Sequence, residues 1–478
     1  MKRAGKSVKK RENAMFLDKL HEECAVFGVS LNAQASPEAG GIAYNALLAM
    51  QHRGQESAGI AVTVGQAIHC IKDLGLVNDV FPAEVLHAIP ESDVAIGHSR
   101  YSSSGYSAKE NVQPFVTEFL TGRIATANNG NVTNAKEIRE FLEPQGVDFS
   151  ATSDSEVLSS LMAYNILREV NALQGAVKAA KQLKGAFSLV LITSDKKLIA
   201  IRDANGFRPL CIGRNEFGMV VASESCAVEG CGFEFVRDLA PGEILVIEEG
   251  EITYSGVHLN SSTRGLCIFE YVYFARTDSV IDGLSVYEAR FNMGKELAKE
   301  YPVDADVVCG VPDSGLEAAM GYAAQSGLPL VSGFVKNRYI GRSFIYPSQS
   351  QREEAVRMKL NPLKYNVQGK RIVLIDDSIV RGTTSAKIIR SLREAGAKEV
   401  HFRVSSPPFV HTCHYGTDIG DESALIANQM SKDEISKKID ADSLGFISVQ
   451  GLLKACKNGA MPFCTGCFTG EYGIEWKG

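Results

Sequence analysis

Four apolar residues, Ile372-Val373-Leu374-Ile375, run directly into two acids, Asp376-Asp377, and then into Ser378-Ile379-Val380-Arg381-Gly382-Thr383-Thr384-Ser385. An apolar run without alternation reads as a strand buried on both faces of a parallel sheet. A helical segment follows the Gly382-Thr383-Thr384-Ser385 loop. Open α/β sheets take ligands at the carboxyl ends of their strands. A Gly-hydroxyl loop that opens a helix offers backbone N–H groups to a phosphate. The adjacent acids suit ribose hydroxyls, a metal ion, or both. A Walker loop is excluded, because the only Gly-Lys-Ser, Gly5-Lys6-Ser7, stands too near the start to carry that motif's first glycine. A plain strand end with a polar turn is the alternative.

The segment resembles the signature of type I phosphoribosyltransferases. Asp376, Asp377 and Ser378 would then face the ribose of phosphoribosylpyrophosphate (PRPP), and Arg381, Gly382, Thr383, Thr384 and Ser385 its 5-phosphate. The same resemblance makes Asp313-Ser314-Gly315, after the apolar run 307–311, a pyrophosphate loop, with Ser314, Asp376 and Asp377 around Mg²⁺. Magnesium prefers oxygen ligands and shares them with substrate phosphates. The basic stretch from Lys336 and Arg338 through Arg342 toward Arg352 and Lys359 matches a flap over PRPP, although most charge runs are only solvated loops.

The first half carries different signals. Cys24 opens an apolar run, Cys24–Val29, and a lone strand cysteine is ordinarily a small core residue. Together with residues 51–60, Gly97-His98-Ser99-Arg100-Tyr101, Asn128-Asn129-Gly130-Asn131 and Thr152–Glu156, it resembles the glutaminase domain of amidophosphoribosyltransferases. That domain belongs to the N-terminal-nucleophile family. Cleavage after Glu23 would free the α-amino group of Cys24, whose pKa of about 8 suits a base near neutral pH. The resemblance assigns Asn129 and Gly130 to the oxyanion, Arg100 to the substrate carboxylate, Asp154 to its α-amino group, and Arg53 to the same pocket. The bland reading is an Arg100–Asp154 ion pair and an Asn-Gly turn. Two departures stand out: Asn128 where many relatives have His, and Thr277 where relatives usually have Pro.

Eleven cysteines, an odd number without regular spacing, and no apolar core behind the basic first twenty residues point to a reducing, cytoplasmic setting. Cys464-x-x-Cys467 alone fits either redox or metal chemistry. Cys267 and Cys413 match positions that hold a cluster in one subgroup of the family, and four thiolates suit a [4Fe–4S] cluster or tetrahedral zinc.

At 478 residues two domains are expected. The fold class expected is α+β followed by α/β. Residues 1–23 read as a propeptide and 24–255 as a four-layer αββα glutaminase domain. Residues 256–478 read as a type I phosphoribosyltransferase domain with a mostly parallel, doubly wound sheet and a cluster-binding tail. The patterning predicts a helix over about 39–51, two helical stretches within 155–184, and strands at 186–193, 198–202, 219–223 and 243–254. In the second half it predicts strands at 307–311, 328–334, 372–375 and 399–404, then a helical, loop-rich last sixty residues.

A net charge of −6 argues against a nucleic-acid partner, and no apolar run has the length of a membrane span. The resemblance implies displacement of pyrophosphate from PRPP by glutamine-derived ammonia, giving 5-phosphoribosylamine at the entry to purine synthesis. It also implies feedback by purine nucleotides and a homotetramer. A PRPP-sensing regulator would not need Cys24, Arg100, Asn129 and Asp154. A sugar-phosphate amidotransferase would lack the paired acids and the Thr-Thr-Ser loop.

Overall fold

The computed structural model describes residues 24–101, 108–261, 265–337, 360–417, 419, 421–457 and 462–472. The expected propeptide, Arg338 and the flap residues Arg342, Arg352 and Lys359 lie outside them. The first half is built from thirteen strands among the described residues. In chain order they are β1 Ala25–Leu31, β2 Ser57–Val64, β3 Ala67–Leu74, β4 Val94–Arg100, β5 Phe115–Phe119, β6 Gly122–Val132 and β7 Gly185–Thr193, then β8 Leu198–Arg202, β9 Cys211–Asn215, β10 Gly218–Ala222, β11 Glu234–Asp238, β12 Glu243–Glu248 and β13 Glu251–Val257.

Two antiparallel sheets result, ordered β11-β9-β10-β1-β4-β2-β3 and β13-β12-β8-β7-β6-β5. Successive strand side chains point to opposite faces, so a strand covered on both sides divides its residues between two cores. β1 shows this: Ala25, Phe27, Val29 and Leu31 join the layer against helix Ala39–Ala49, while Val26 enters the layer between the sheets. β7 does the same, with Leu189 and Leu191 toward helix Asp154–Ile166 and Val190 and Ile192 toward the other sheet. Helix, sheet, sheet and helix stack as four layers.

The second half contains a four-stranded parallel sheet, Val307–Gly310, Arg371–Asp376, Glu399–Val404 and Ser443–Phe446. Helices Val286–Glu300 and Leu316–Ser326 pack against one face. Thr383–Glu394 covers the other. The first two helices touch backbone to backbone: a Cβ on Gly294 would stand 1.9 Å from Ala318 O, and one on Gly321 1.8 Å from Phe291 O. The mixed α/β class is as expected.

Three local expectations fail. Residues 328–334 are not a strand: Leu330 makes one parallel bridge to Val308, and Phe334–Lys336 instead pairs with Leu360–Pro362 in a separate two-stranded ribbon. The run 243–254 breaks at Glu249-Gly250, both at positive φ, into the hairpin β12–β13. The final segment contributes Ser443–Phe446 as a sheet strand, hidden because four residues are too few to show a period.

Candidate active site

Cys24 stands at the start of β1, beside the end of β4, because Ala25 pairs with Ser99 and the next residue of β4 is Arg100. Its Sγ donates to Tyr101 O at 3.3 Å. The turn before β2 closes onto the same edge. Gly54 has to be glycine, since a Cβ there would meet Ser99 O at 2.5 Å. Arg53 is fully buried, and four of its donor contacts are defined. Nε donates to Cys24 O at 3.2 Å, Nη1 to Glu224 Oε1 at 2.7 Å and Glu270 Oε2 at 2.8 Å, and Nη2 to Glu270 Oε1 at 2.8 Å. Burial pulls this guanidinium down, but Glu270 and Glu224 outweigh it and hold Arg53 well above its usual value. With these donors committed to two carboxylates, Arg53 holds the Cys24 main chain at the edge of the site.

Asn129 and Gly130 lie in β6 of the second sheet, opposite Ser188 and Phe187. Asn129 is 1% exposed, and its Nδ2 is buried without a hydrogen-bond partner. A buried amide donor left open costs about 1–3 kcal/mol, so it marks a place where something else is meant to accept. Gly130 has φ +133°, and a Cβ there would come within 2.1 Å of Ala186 O. Two residues further on, Val132 N donates to Asp154 Oδ2 at 2.8 Å. Asp154 is the first residue of helix Asp154–Ile166, capped by Ser153, so its charge lies at the positive end of the helix dipole. The two sheets are stitched at this end by His98 Nε2–H to Asn128 O at 3.1 Å. Burial, with Arg100 nearby, pushes the His98 pKa down to about 3, so the ring is neutral.

In the second half the carboxyl ends of two neighbouring strands meet. Val311 N donates to Ile375 O at 2.8 Å, and a Cβ on Gly315 would meet Ile375 O at 2.5 Å. Ser314 Oγ donates to Asp377 Oδ2, Ser378 Oγ to Asp377 Oδ1 at 2.5 Å, and Asp377 N to Asp376 Oδ1 at 3.0 Å. Asp376 and Asp377 are both buried. Gly382 takes φ +82° to turn the chain into helix Thr383–Glu394, leaving Arg381 and Thr383 exposed and Thr384 half-buried at its first turn. Ser385 is buried in that turn. Lys336 pairs with Asp313 at the rim.

The oxygen set Ser314, Asp376 and Asp377 fits Mg²⁺, which commonly takes only one or two carboxylates and completes its shell with water and phosphate. Among the described residues no three His, Cys, Asp or Glu side chains converge as a metal-ion site. The four cysteines nevertheless line one small cavity, with Phe207, Phe269 and Tyr472 around them. Cys267 and Cys464 are register partners in a short parallel pair, and Val410 N and His411 N donate to Cys467 O, both at 3.1 Å. Burial and the other three thiols push the Cys467 thiol well up. Four thiols lining one cavity suit a [4Fe–4S] cluster or tetrahedral zinc.

Motif reading gave Glu224, Glu270 and His98 no role in supporting the first site. Glu270 lies only three residues after Cys267, but nothing local marks it as a partner for Arg53, 217 positions away.

Fold and site together define a glutamine-dependent amidotransferase, with a glutaminase half joined to a phosphoribosyltransferase half. A glutamine amidotransferase domain model matches residues 98–229, and a phosphoribosyl transferase domain model matches 284–406. The chain belongs to the amidophosphoribosyltransferase family. It is 48% identical to the amidophosphoribosyltransferase of Methanocaldococcus jannaschii over 446 residues, 90% of this chain and 94% of that one. It is 44% identical to that of Archaeoglobus fulgidus, over 95% of this chain and 99% of that one. Among solved structures it superposes on glutamine PRPP amidotransferase from B. subtilis, complexed with ADP and GMP, with TM-score 0.86 and 43% identity, covering 95% of this chain and 98% of that one.

Proposed function

We propose that Cys24 splits glutamine and that the ammonia displaces pyrophosphate from C1 of PRPP on the same chain, giving 5-phosphoribosylamine. The observation that carries this reading is the unpartnered Asn129 Nδ2, buried in the sheet next to the one that presents Cys24. Once the Glu23–Cys24 bond is cut, the new α-amino group accepts the thiol proton. The thiolate attacks the carboxamide carbon, and Asn129 Nδ2 with the Gly130 N–H receives the oxyanion. The protonated amine returns its proton to the departing ammonia, and water releases glutamate from the thioester. Arg100 holds the substrate carboxylate and Asp154 its ammonium.

In the transferase half Asp376 and Asp377 bind the ribose hydroxyls. Asp377 is aimed by the Ser314 and Ser378 hydroxyls that donate to its two oxygens. Arg381 through Ser385 cradle the 5-phosphate, and Asp313, Ser314, Gly315, Lys336 and Arg338 face the pyrophosphate. Bound Mg²⁺, held by Ser314, Asp376 and Asp377, supplies charge neutralisation of the leaving group. Cys267, Cys413, Cys464 and Cys467 hold a [4Fe–4S] cluster, supported by their shared cavity.

The domains run 24–255 and 256–478 after loss of 1–23. The enzyme is cytoplasmic, a homotetramer, and answers to purine nucleotides. The ADP and GMP bound to the B. subtilis relative support that last reading. Among the described residues no helix is long and apolar enough to cross a membrane.

Pyrophosphate release from PRPP and Mg²⁺, measured anaerobically with glutamine and then with ammonium, tests the whole. Release with both is expected. Release with neither would overturn it.

A further inference from the structure

The buried charges around Arg53 cross from one half of the chain to the other. Glu224 belongs to the glutaminase half and also accepts from His52, Arg276 N and Ser279 Oγ. Glu270 comes from the other half, where it opens the five-residue π-turn Glu270–Phe274. That turn is gripped by Arg290 of helix Val286–Glu300. Its Nε donates to Tyr271 O at 2.9 Å, and its Nη2 donates to Tyr273 O at 3.0 Å and Ala275 O at 2.7 Å. Arg290 Nη1 donates to Thr277 Oγ1 at 3.1 Å, and Thr277 Oγ1 donates to Glu317 Oε1 at 3.1 Å. Glu317 stands in the first turn of helix Leu316–Ser326, three residues after Ser314. A path of hydrogen bonds, joined through the main chain of the π-turn, therefore runs from the helix behind the pyrophosphate loop to the carbonyl of Cys24.

We propose that Glu270 is a positioning residue for glutamine cleavage, supplied by the transferase half: it fixes Arg53, and Arg53 fixes the main chain of Cys24. This role for Glu270 rests on Cys24 being the nucleophile. Once Cys24 is the first residue, its carbonyl is the one main-chain handle through which its amine and thiol can be held together. A misplacement of about 1 Å at a reacting group costs on the order of a hundredfold in rate. Stability alone does not call for such a pair, because well-packed apolar residues commonly replace a buried ion pair without loss. A geometric role accounts for two fully buried carboxylates on one guanidinium. Thr277 contributes the hydroxyl that joins Arg290 to Glu317.

The test is Glu270→Gln in the full enzyme. Its glutamine-dependent kcat is expected to fall about tenfold or more, with KM for glutamine and ammonium-dependent pyrophosphate release both within about twofold of the parent. Alkylation of Cys24 by iodoacetamide, read by mass on its peptide, should slow in parallel. Equal loss with both nitrogen sources would make Glu270 a structural residue of the junction and overturn the proposal. Unchanged kcat and alkylation would overturn it as well. If Glu270→Gln fails to fold, Thr277→Val removes the hydroxyl that joins Arg290 to Glu317. It should give the same pattern at about two- to fivefold, and parental behaviour there would count against the proposal. Cys24→Ala separates the two readings: glutamine-dependent activity persisting in that variant would sink the nucleophile assignment itself.

Discussion

Asn129→Leu removes the amide while nearly keeping the side chain's shape. Asn129 is 1% exposed, and its Nδ2 has no partner in the resting enzyme. The folded state therefore already carries that donor's desolvation, about 1–3 kcal/mol. Replacing the amide with an apolar group relieves that burden, so the thermal midpoint should hold or rise. Catalysis moves the other way. If the donor is reserved for the oxyanion, its loss removes about 2.7–4 kcal/mol of transition-state stabilisation, or roughly a hundred- to a thousandfold in kcat. KM for glutamine should change little, because the ground-state carbonyl does not yet need the donor. The assay is glutamate release beside ammonium-dependent pyrophosphate release, with a melting curve on the same sample. A glutamine kcat within threefold of the parent, or a collapsed midpoint with both activities lost, would refute the reasoning.

Cys24→Ala should abolish glutamine-dependent synthesis and spare ammonium-dependent synthesis, as read by pyrophosphate release. Asp376→Asn combined with Asp377→Asn should abolish both, and retained PRPP turnover would remove the acids from the site. His98 predicts a pH dependence of stability. Its folded-state pKa is about 3, against about 6.5 when unfolded. Below pH 6.5 the unfolded chain therefore takes up a proton that the folded chain refuses, and stability falls as pH drops toward 3. The slope is about 1.4 kcal/mol per pH unit from this one group, so about 2 kcal/mol is lost by pH 5. Denaturant titration at pH 7 and pH 5 should show a smaller difference for His98→Gln, whose amide can still donate to Asn128 O.

Much of this was legible because the local chemistry is dense. The strand at 371–376 and the glycine turn at 382 announce themselves within a dozen residues, and β1, helix Ala39–Ala49 and β7 follow from apolar pattern alone. Asn129 and Gly130 were legible as a motif, but the open amide was not, since it depends on what surrounds β6. The contacts of Arg53 were hidden for a related reason. The stretch 51–60 marks it as important, yet its role is decided by Glu224 and Glu270, and sequence separation hides both. Short strands such as Ser443–Phe446 were lost because their pairing comes from the sheet edge they find, not from their own residues.

The glutaminase site is braced by the other half at a second place. The loop that carries Cys413 reaches β6, the strand of Asn129 and Gly130: Asn131 Nδ2 donates to His414 O at 2.9 Å, and a Cβ on Gly416 would stand 3.2 Å from the carbonyl carbon of Gly130. Arg208 secures the loop from below, donating through Nη2 to Tyr415 O at 2.5 Å. Gly416 also has φ +108°, a conformation that side chains resist. Gly416→Ala would add strain of about 1–3 kcal/mol and press on Gly130, which is itself packed closely against Ala186 of β7. The push therefore goes into the strand that presents Asn129. Glutamine-dependent kcat should drop severalfold while ammonium-dependent release stays near the parental rate. If both rates fell together, the loop would be acting on the fold as a whole. If neither moved, the close approach to Gly130 would have no bearing on glutamine cleavage.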